Sequence, residues 1–194
     1  MIHLDVENEQ RKYAWALVHK HNFGKRGKFD GDMNEQYTGM LGETVMADEL
    51  NALFNFSFAG KDEYPRPDGS KGFDNGIDFE MWGHKCDLKT MGRKWLPKIH
   101  YENNLIVSQT DSATEFYIFA SYSKVRRILT ICGWNTKEEC IKSPQYGEGV
   151  QRDRDDGTSF VTGTGMFEVR NDTLRPCNSL YELAIDINQF YSNQ

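Results

Sequence analysis

Two short stretches carry the residue types best suited to chemistry, residues 77–82 (IDFEMW) and 85–90 (KCDLKT), separated by Gly83 and His84. Two strand-like runs around a two-residue turn containing glycine read as a β-hairpin. With Gly83-His84 as the turn, Trp82 faces Lys85, Glu80 faces Asp87 and Asp78 faces Lys89. Directly opposed residues share a face and neighbours along a strand alternate. Asp78, Glu80, Asp87 and Lys89 then project from one side, and Ile77, Phe79, Met81, Cys86 and Leu88 fill the other. Three carboxylates this close repel one another and raise one another's pKa unless a cation joins them. Hard oxygen donors of this kind suit Mg2+ or Mn2+. The lysine is placed to orient a water or to offset the charge of an attacked phosphate. The alternative is a solvent-facing hairpin whose acids and lysine form surface ion pairs.

Glu43 adds a fourth carboxylate from a different element. Residues 34–53 have helical periodicity, with Asp32 or Asn34 as cap. The neighbours of Glu43 at three and four positions are Gly39, Met40, Met46 and Ala47, all small or apolar. A carboxylate on such a face either reaches outward or is aimed into a site.

The order helix-Glu43, then Asp78, then Asp87-Leu88-Lys89 resembles the PD-(D/E)XK nuclease superfamily. The resemblance covers residues 34–122, with Phe54–Phe58 as the first strand and residues 123–194 as decoration. It implies an α/β restriction-endonuclease-like fold, a mixed sheet flanked by helices, in one domain spanning 1–194. It also implies a phosphodiesterase acting on nucleic acid, DNA being the expected substrate, with Mg2+ or Mn2+ held by Glu43, Asp78, Asp87 and the Leu88 carbonyl. Lys89 would position the attacking water, and Glu80 is a candidate supporting acid. Asn75-Gly76-Ile77-Asp78 stands where the family has Pro-Asp, and the Gln-x-x-x-Tyr motif of one exonuclease branch is absent. The stretch Ile131–Glu139 is similar to the strand-to-helix segment of uncharacterised phage and prokaryotic nucleases. The family includes dimers, so a homodimer stays open. The competing reading is a catalytically inactive nuclease-like protein that binds nucleic acid or serves in an assembly. A Cys- or His-based enzyme is a further one, invited by His84 and Cys86.

Substrate contacts are expected from the basic loop that follows the site, at Arg93, Lys94, Trp95 and Lys98, with Trp95 available to stack on an unpaired base. Arg66, Arg126, Arg127, Arg152 and Arg154 are further candidates, as is the basic stretch around His19 to Lys28. The net charge of −6 lowers the expected non-specific affinity for a polyanion without excluding it, because bound divalent cations reverse the local sign.

The remaining elements must position this group. A first helix is expected over 6–21 with Asp5 as cap, and strands at about 104–108, 115–122 and 126–134. Asn135 to Glu138 has capping-box spacing and starts a short helix over 136–142. Residues 159–170 read as strand, and 180–191 as a last helix capped by Ser179 with Glu182 three residues on. The four cysteines lack CxxC spacing, which points to reduced, structural thiols in a reducing compartment. No apolar run approaches the length of a membrane span and the first ten residues are polar, so a cytoplasmic location is expected, including that of a phage-encoded protein in a bacterial host.

Overall fold

The computed structural model describes residues 1–21, 32–54, 64–68 and 77–190. The expected strand at Phe54–Phe58, the loop over 60–76 and the basic stretch after His21 lie largely outside these residues.

Helix α2 (Met33–Leu53) begins where the sequence places it. The Asp32 side chain accepts the amides of Asn34 and Glu35, and the Glu35 carboxylate accepts the Asp32 amide, a reciprocal capping box. Helix α1 (Asn8–His21) starts two residues later than expected. Asp5 does not cap it, because Ile2–Asp5 form strand β1, paired antiparallel to β6 (Ile128–Thr136). The alternation of Ile2 and Leu4 with polar residues is too short to announce a strand by itself.

Strands β2 (Phe79–Met81), β3 (His84–Arg93) and β5 (Phe116–Ser123) complete a five-stranded sheet in the order β1-β6-β5-β3-β2. Its β3–β5 pair is parallel and the others are antiparallel. A second, three-stranded sheet joins β4 (Glu102–Ile106), β10 (Met166–Arg170) and β7 (Gln145–Tyr146), and β8 (Gln151–Asp153) pairs with β9 (Ser159–Val161). Short helix α3 (Lys137–Cys140) is capped by Thr136 with Glu139, one residue beyond the expected box. Helix α4 (Leu180–Gln189) has the expected Ser179 cap.

All eight residues of β5 are buried, and the reason lies on its two faces. Phe116, Ile118 and Ala120 enter a core shared with α2 and α4, through Leu41, Val45, Leu183 and Ile187. Tyr117 and Phe119 enter a second core with Leu105, Phe167 and Val169 of the smaller sheet. A strand covered on both sides reads as a continuous apolar run rather than an alternation. In β6 the register shifts opposite Phe119, where Gly133 takes a φ of +153°. A Cβ there would stand 2.5 Å from the Arg175 carbonyl. This bulge lets Ile131 and Trp134 enter the same core although they are three apart in sequence.

The chain is thus a mixed α/β fold, with α1, α2 and α4 on one face of the main sheet and the smaller sheet and α3 against the other. Among the described residues, no helix is long and apolar enough to cross a membrane.

Candidate active site

The hairpin forms, but its turn is Trp82-Gly83 rather than Gly83-His84. Both residues have positive φ, 50° and 85°. That is the backbone a two-residue turn needs to match the twist of its strands. Positive φ is costly for a tryptophan, and the Trp82 ring is held edge-on against Phe54 at 5.6 Å. The register is therefore Phe79 opposite Cys86, Glu80 opposite Lys85 and Met81 opposite His84. It differs by two residues from the expected pairing. Side chains alternate with a period of two, so a two-residue change alters partners and preserves faces. Phe79, Met81, Cys86 and Leu88 still enter the core, with Asp78, Glu80, Lys85, Asp87 and Lys89 on the other face. The correction falls on Glu80, which faces Lys85 and not Asp87. His84 leaves the turn for the strand, with Nδ1 3.1 Å from Glu115 Oε2.

Asp78 stands just before β2 begins. Its amide donates to the Cys86 carbonyl at 2.9 Å, and its Oδ2 accepts the Leu88 amide at 2.8 Å. A carboxylate has taken the place of a strand carbonyl, which fixes Asp78 beside β3. Asp87 is buried, its side chain only 2% exposed, and its Oδ2 meets Lys89 Nζ at 2.7 Å. Residues two apart on one strand share a face, so this pair follows directly from the strand.

Glu43 is brought within electrostatic reach of Asp78 by close packing of α2 on the Leu88 and Thr90 face of β3, the face opposite Asp87 and Lys89. A Cβ on Gly42 would lie 2.1 Å from Thr90 Oγ1, and one on Gly92 would lie 3.2 Å from Thr38 Oγ1. Gly42 thus lets the helix axis approach the strand, and Glu43 is the next residue. A glycine inside a helix costs about 0.5–1 kcal/mol relative to alanine, and the approach offsets it.

The electrostatics report the result. Burial first, then the charges of Glu43 and Asp87, push the Asp78 carboxyl well above the usual aspartate range, with Lys89 and the Leu88 amide opposing. Burial alone would lower the Lys89 ammonium, but Asp87 and Asp78 outweigh it and raise it above its ordinary value. Asp78 thus interacts electrostatically with each of the other three residues expected from the sequence, Glu43, Asp87 and Lys89. Leu88 itself is buried. Among the described residues, no three His, Cys, Asp or Glu side chains stand in ready ligating array; Asp87 instead holds the Lys89 ammonium.

Sequence reasoning missed Gly42, Thr90 and Tyr117. Tyr117 is the parallel partner of Asp87, is fully buried, and donates its hydroxyl to the Gln109 carbonyl at 3.1 Å. Burial, with Asp87 nearby, raises its phenol. Nothing in the apolar run of β5 singles it out. The mid-helix Gly42 beside an acid was a legible signal of close approach.

The expected substrate contacts divide. Arg93 is a correction: it is buried and pairs with Asp156, donates to Ser121 Oγ at 3.2 Å and to the Glu102 carbonyl, and sits 4.9 Å over the Tyr101 ring. Odd-numbered residues of β3 point toward the smaller sheet, so its cation serves the interior. Lys94, Trp95 and Lys98 are exposed, and the Lys94 ammonium lies 5.5 Å over the Trp95 ring. Arg66 is committed to Asp48 at 2.6 Å, and Arg152 and Arg154 to Glu168 at 2.7 and 3.1 Å. Arg126 and Arg127 are exposed. All four cysteines are free and buried. Burial pushes the Cys86 thiol far up, which disfavours a thiolate nucleophile.

Comparison with protein-family models, with curated proteins and with solved structures finds no match to this chain.

Proposed function

We propose that the chain is a divalent-metal-dependent phosphodiesterase with a PD-(D/E)XK-type site and a restriction-endonuclease-like core, acting on nucleic acid. The observation that carries this reading is the grouping of Asp78 with the Asp87–Lys89 pair on adjacent strands, with Glu43 of α2 acting electrostatically on Asp78. Three carboxylates, one of them raised by burial and by the charges of the other two, fit a hard divalent cation by donor type and by charge. Glu43, Asp78 and Asp87 are the residues that would hold it, together with the Leu88 carbonyl. A bound Mg2+ or Mn2+ would supply charge neutralisation and Lewis-acid polarisation of the phosphate.

The chain's own residues have definable parts. Lys89 keeps its proton, since two acids hold its ammonium above the ordinary range. It therefore acts as a hydrogen-bond donor and positive charge, not as a base. It orients the attacking water and offsets charge on the phosphate as the water oxygen bonds to phosphorus, its proton passing to solvent, and the P–O ester bond breaks, the departing oxygen taking a proton from solvent. Asp87 fixes the ammonium at 2.7 Å, and the Leu88 amide fixes Asp78 at 2.8 Å. Such anchored groups avoid reorganisation during reaction.

The rival reading keeps the geometry without hydrolysis, as a nucleic-acid-binding or assembly protein. The two separate when the full chain is incubated with supercoiled plasmid, linear duplex, single-stranded DNA and RNA, each with Mg2+ or Mn2+ or with chelator. Metal-dependent cutting lost in folded Lys89→Ala and Asp78→Ala supports the enzyme. Equal cutting by wild type and variants, or none, rejects it.

A further inference from the structure

Away from the carboxylates, a cleft of about 460 Å3 opens between α1, the start of α2 and the end of β5. Its size falls within the roughly 300–1,000 Å3 of small-ligand sites. Its chemistry is unlike the rest of this acidic chain. The lining includes Arg11, Lys12, Trp15, Tyr37, Tyr122 and Lys124, with three cations and, among its described lining residues, no carboxylate. Lys12 is paired with Glu9 at 2.7 Å on the exposed side. Tyr37 and Tyr122 lie beside Arg11 and favour its charged form, while its buried Nε has no hydrogen-bond partner.

Trp15 is 47% exposed although it is the largest apolar side chain of α1. It is not loose. Its ring lies 4.1 Å from His19 and meets Tyr37 edge-on at 5.6 Å. A large ring fixed from two sides and open on the remainder is a preformed stacking platform. The positive lining continues along the surface. The Lys124 amide donates to the Arg93 carbonyl at 2.9 Å, and Ser123 Oγ donates to the Lys94 carbonyl at 3.1 Å. These bonds set Lys124 beside exposed Lys94 and Trp95, a second cation and aromatic pair. Tyr37 precedes Glu43 by six residues on α2, a rise of about 9 Å.

We propose that this cleft holds an unpaired stretch of nucleic acid, with a base on Trp15 and backbone phosphates against Arg11 and Lys124, leading toward Lys94 and Trp95. Cations beside an oriented aromatic match a strand that offers phosphates and free base faces together; a duplex hides those faces. As a binding cleft the inference rests on its own residues. As the substrate strand of the carboxylate site it rests on the proposed function, and makes that substrate single-stranded.

The test is binding without catalysis. Full-length protein is titrated in chelator at low salt against a fluorescent oligothymidylate of about 16 nucleotides, and against the same length of duplex, read by anisotropy. The single strand is expected to bind more tightly than the duplex. Trp15→Ala should weaken it about tenfold, within the range for losing one stacked base. Lys124→Ala should reduce the salt slope by about one contact. Melting curves identify any variant that fails to fold, and Lys124 is exposed enough to serve if Trp15→Ala does. No binding by wild type, duplex binding equal to single strand, or unchanged affinity in both folded variants overturns the proposal. Because no metal is present, this failure is distinct from failure to cleave: binding can hold where cutting does not, and the reverse.

Discussion

Replacing Gly42 by alanine tests how Glu43 is delivered to the site. The added Cβ would stand 2.1 Å from Thr90 Oγ1, about 1.3 Å short of the 3.4 Å at which ordinary contact begins. Oγ1 belongs to a short β-branched side chain on a central strand, so little of the conflict is relieved by rotation. The helix must move by about an ångström at this point, and Glu43, one residue on, moves with it. Overpacking of this kind costs about 1–3 kcal/mol, or about 2–12 °C in melting temperature for a domain of this size. Displacing a reacting group by about 1 Å can cost about a hundredfold in rate. The expected outcome is therefore a folded, moderately destabilised variant with metal-dependent cleavage down by about two orders of magnitude. Thr90→Ala in the same chain removes Oγ1 and Cγ2 and leaves Cβ at 3.0 Å as the nearest atom. That residual conflict is a few tenths of an ångström, so the double variant should recover to within about tenfold of the Thr90→Ala single variant. Cleavage kinetics and thermal melts on the four proteins complete the cycle. Wild-type rate and melting in Gly42→Ala, or loss of rate that Thr90→Ala does not restore, would refute the reasoning.

Three further outcomes follow from the same contacts. Asp78→Asn keeps an oxygen for the Leu88 amide but removes a charge repelled by Glu43 and Asp87; it should melt higher than wild type in chelator and show a smaller thermal shift with Mn2+. Arg93→Ala leaves Asp156 and the Glu102 carbonyl without their buried cation; a loss of about 3–5 kcal/mol is expected in denaturant melts, which a mere surface contact for nucleic acid would not produce. Glu139 is opposed by its own burial, yet Arg175 and the Thr136 amide lower its carboxyl below the ordinary value. A depressed acid contributes stability above its unfolded pKa and loses it as pH falls through the folded value. The stability advantage of wild type over Glu139→Gln should therefore shrink below about pH 4.5, read by urea melts across the acid range.

Much of the site was legible because it depends on parity. The polar face of the hairpin survives a two-residue error in register, so Asp78, Asp87 and Lys89 were grouped correctly although the turn was misplaced. The turn was misread because a tryptophan at positive φ is held by Phe54, a contact distant in sequence. The Asp32 and Ser179 caps were readable because capping is local. Arg93 was misassigned for the opposite reason: only the position of the smaller sheet and Asp156 turns a cation after a strand into an interior one. Trp15, Tyr37 and Tyr122 come from three elements, and no spacing in the chain announces their cleft.

The most direct test of the central claim is crystallographic. Crystals soaked in Mn2+ are measured at a wavelength where manganese scatters anomalously. A peak is expected bounded by the carboxylates of Glu43, Asp78 and Asp87, with the Lys89 ammonium displaced from or shared with the Asp87 oxygen it holds at 2.7 Å. Strong peaks elsewhere with none among these three acids, in crystals whose Glu43 and Asp78 are accessible to solvent, would contradict it.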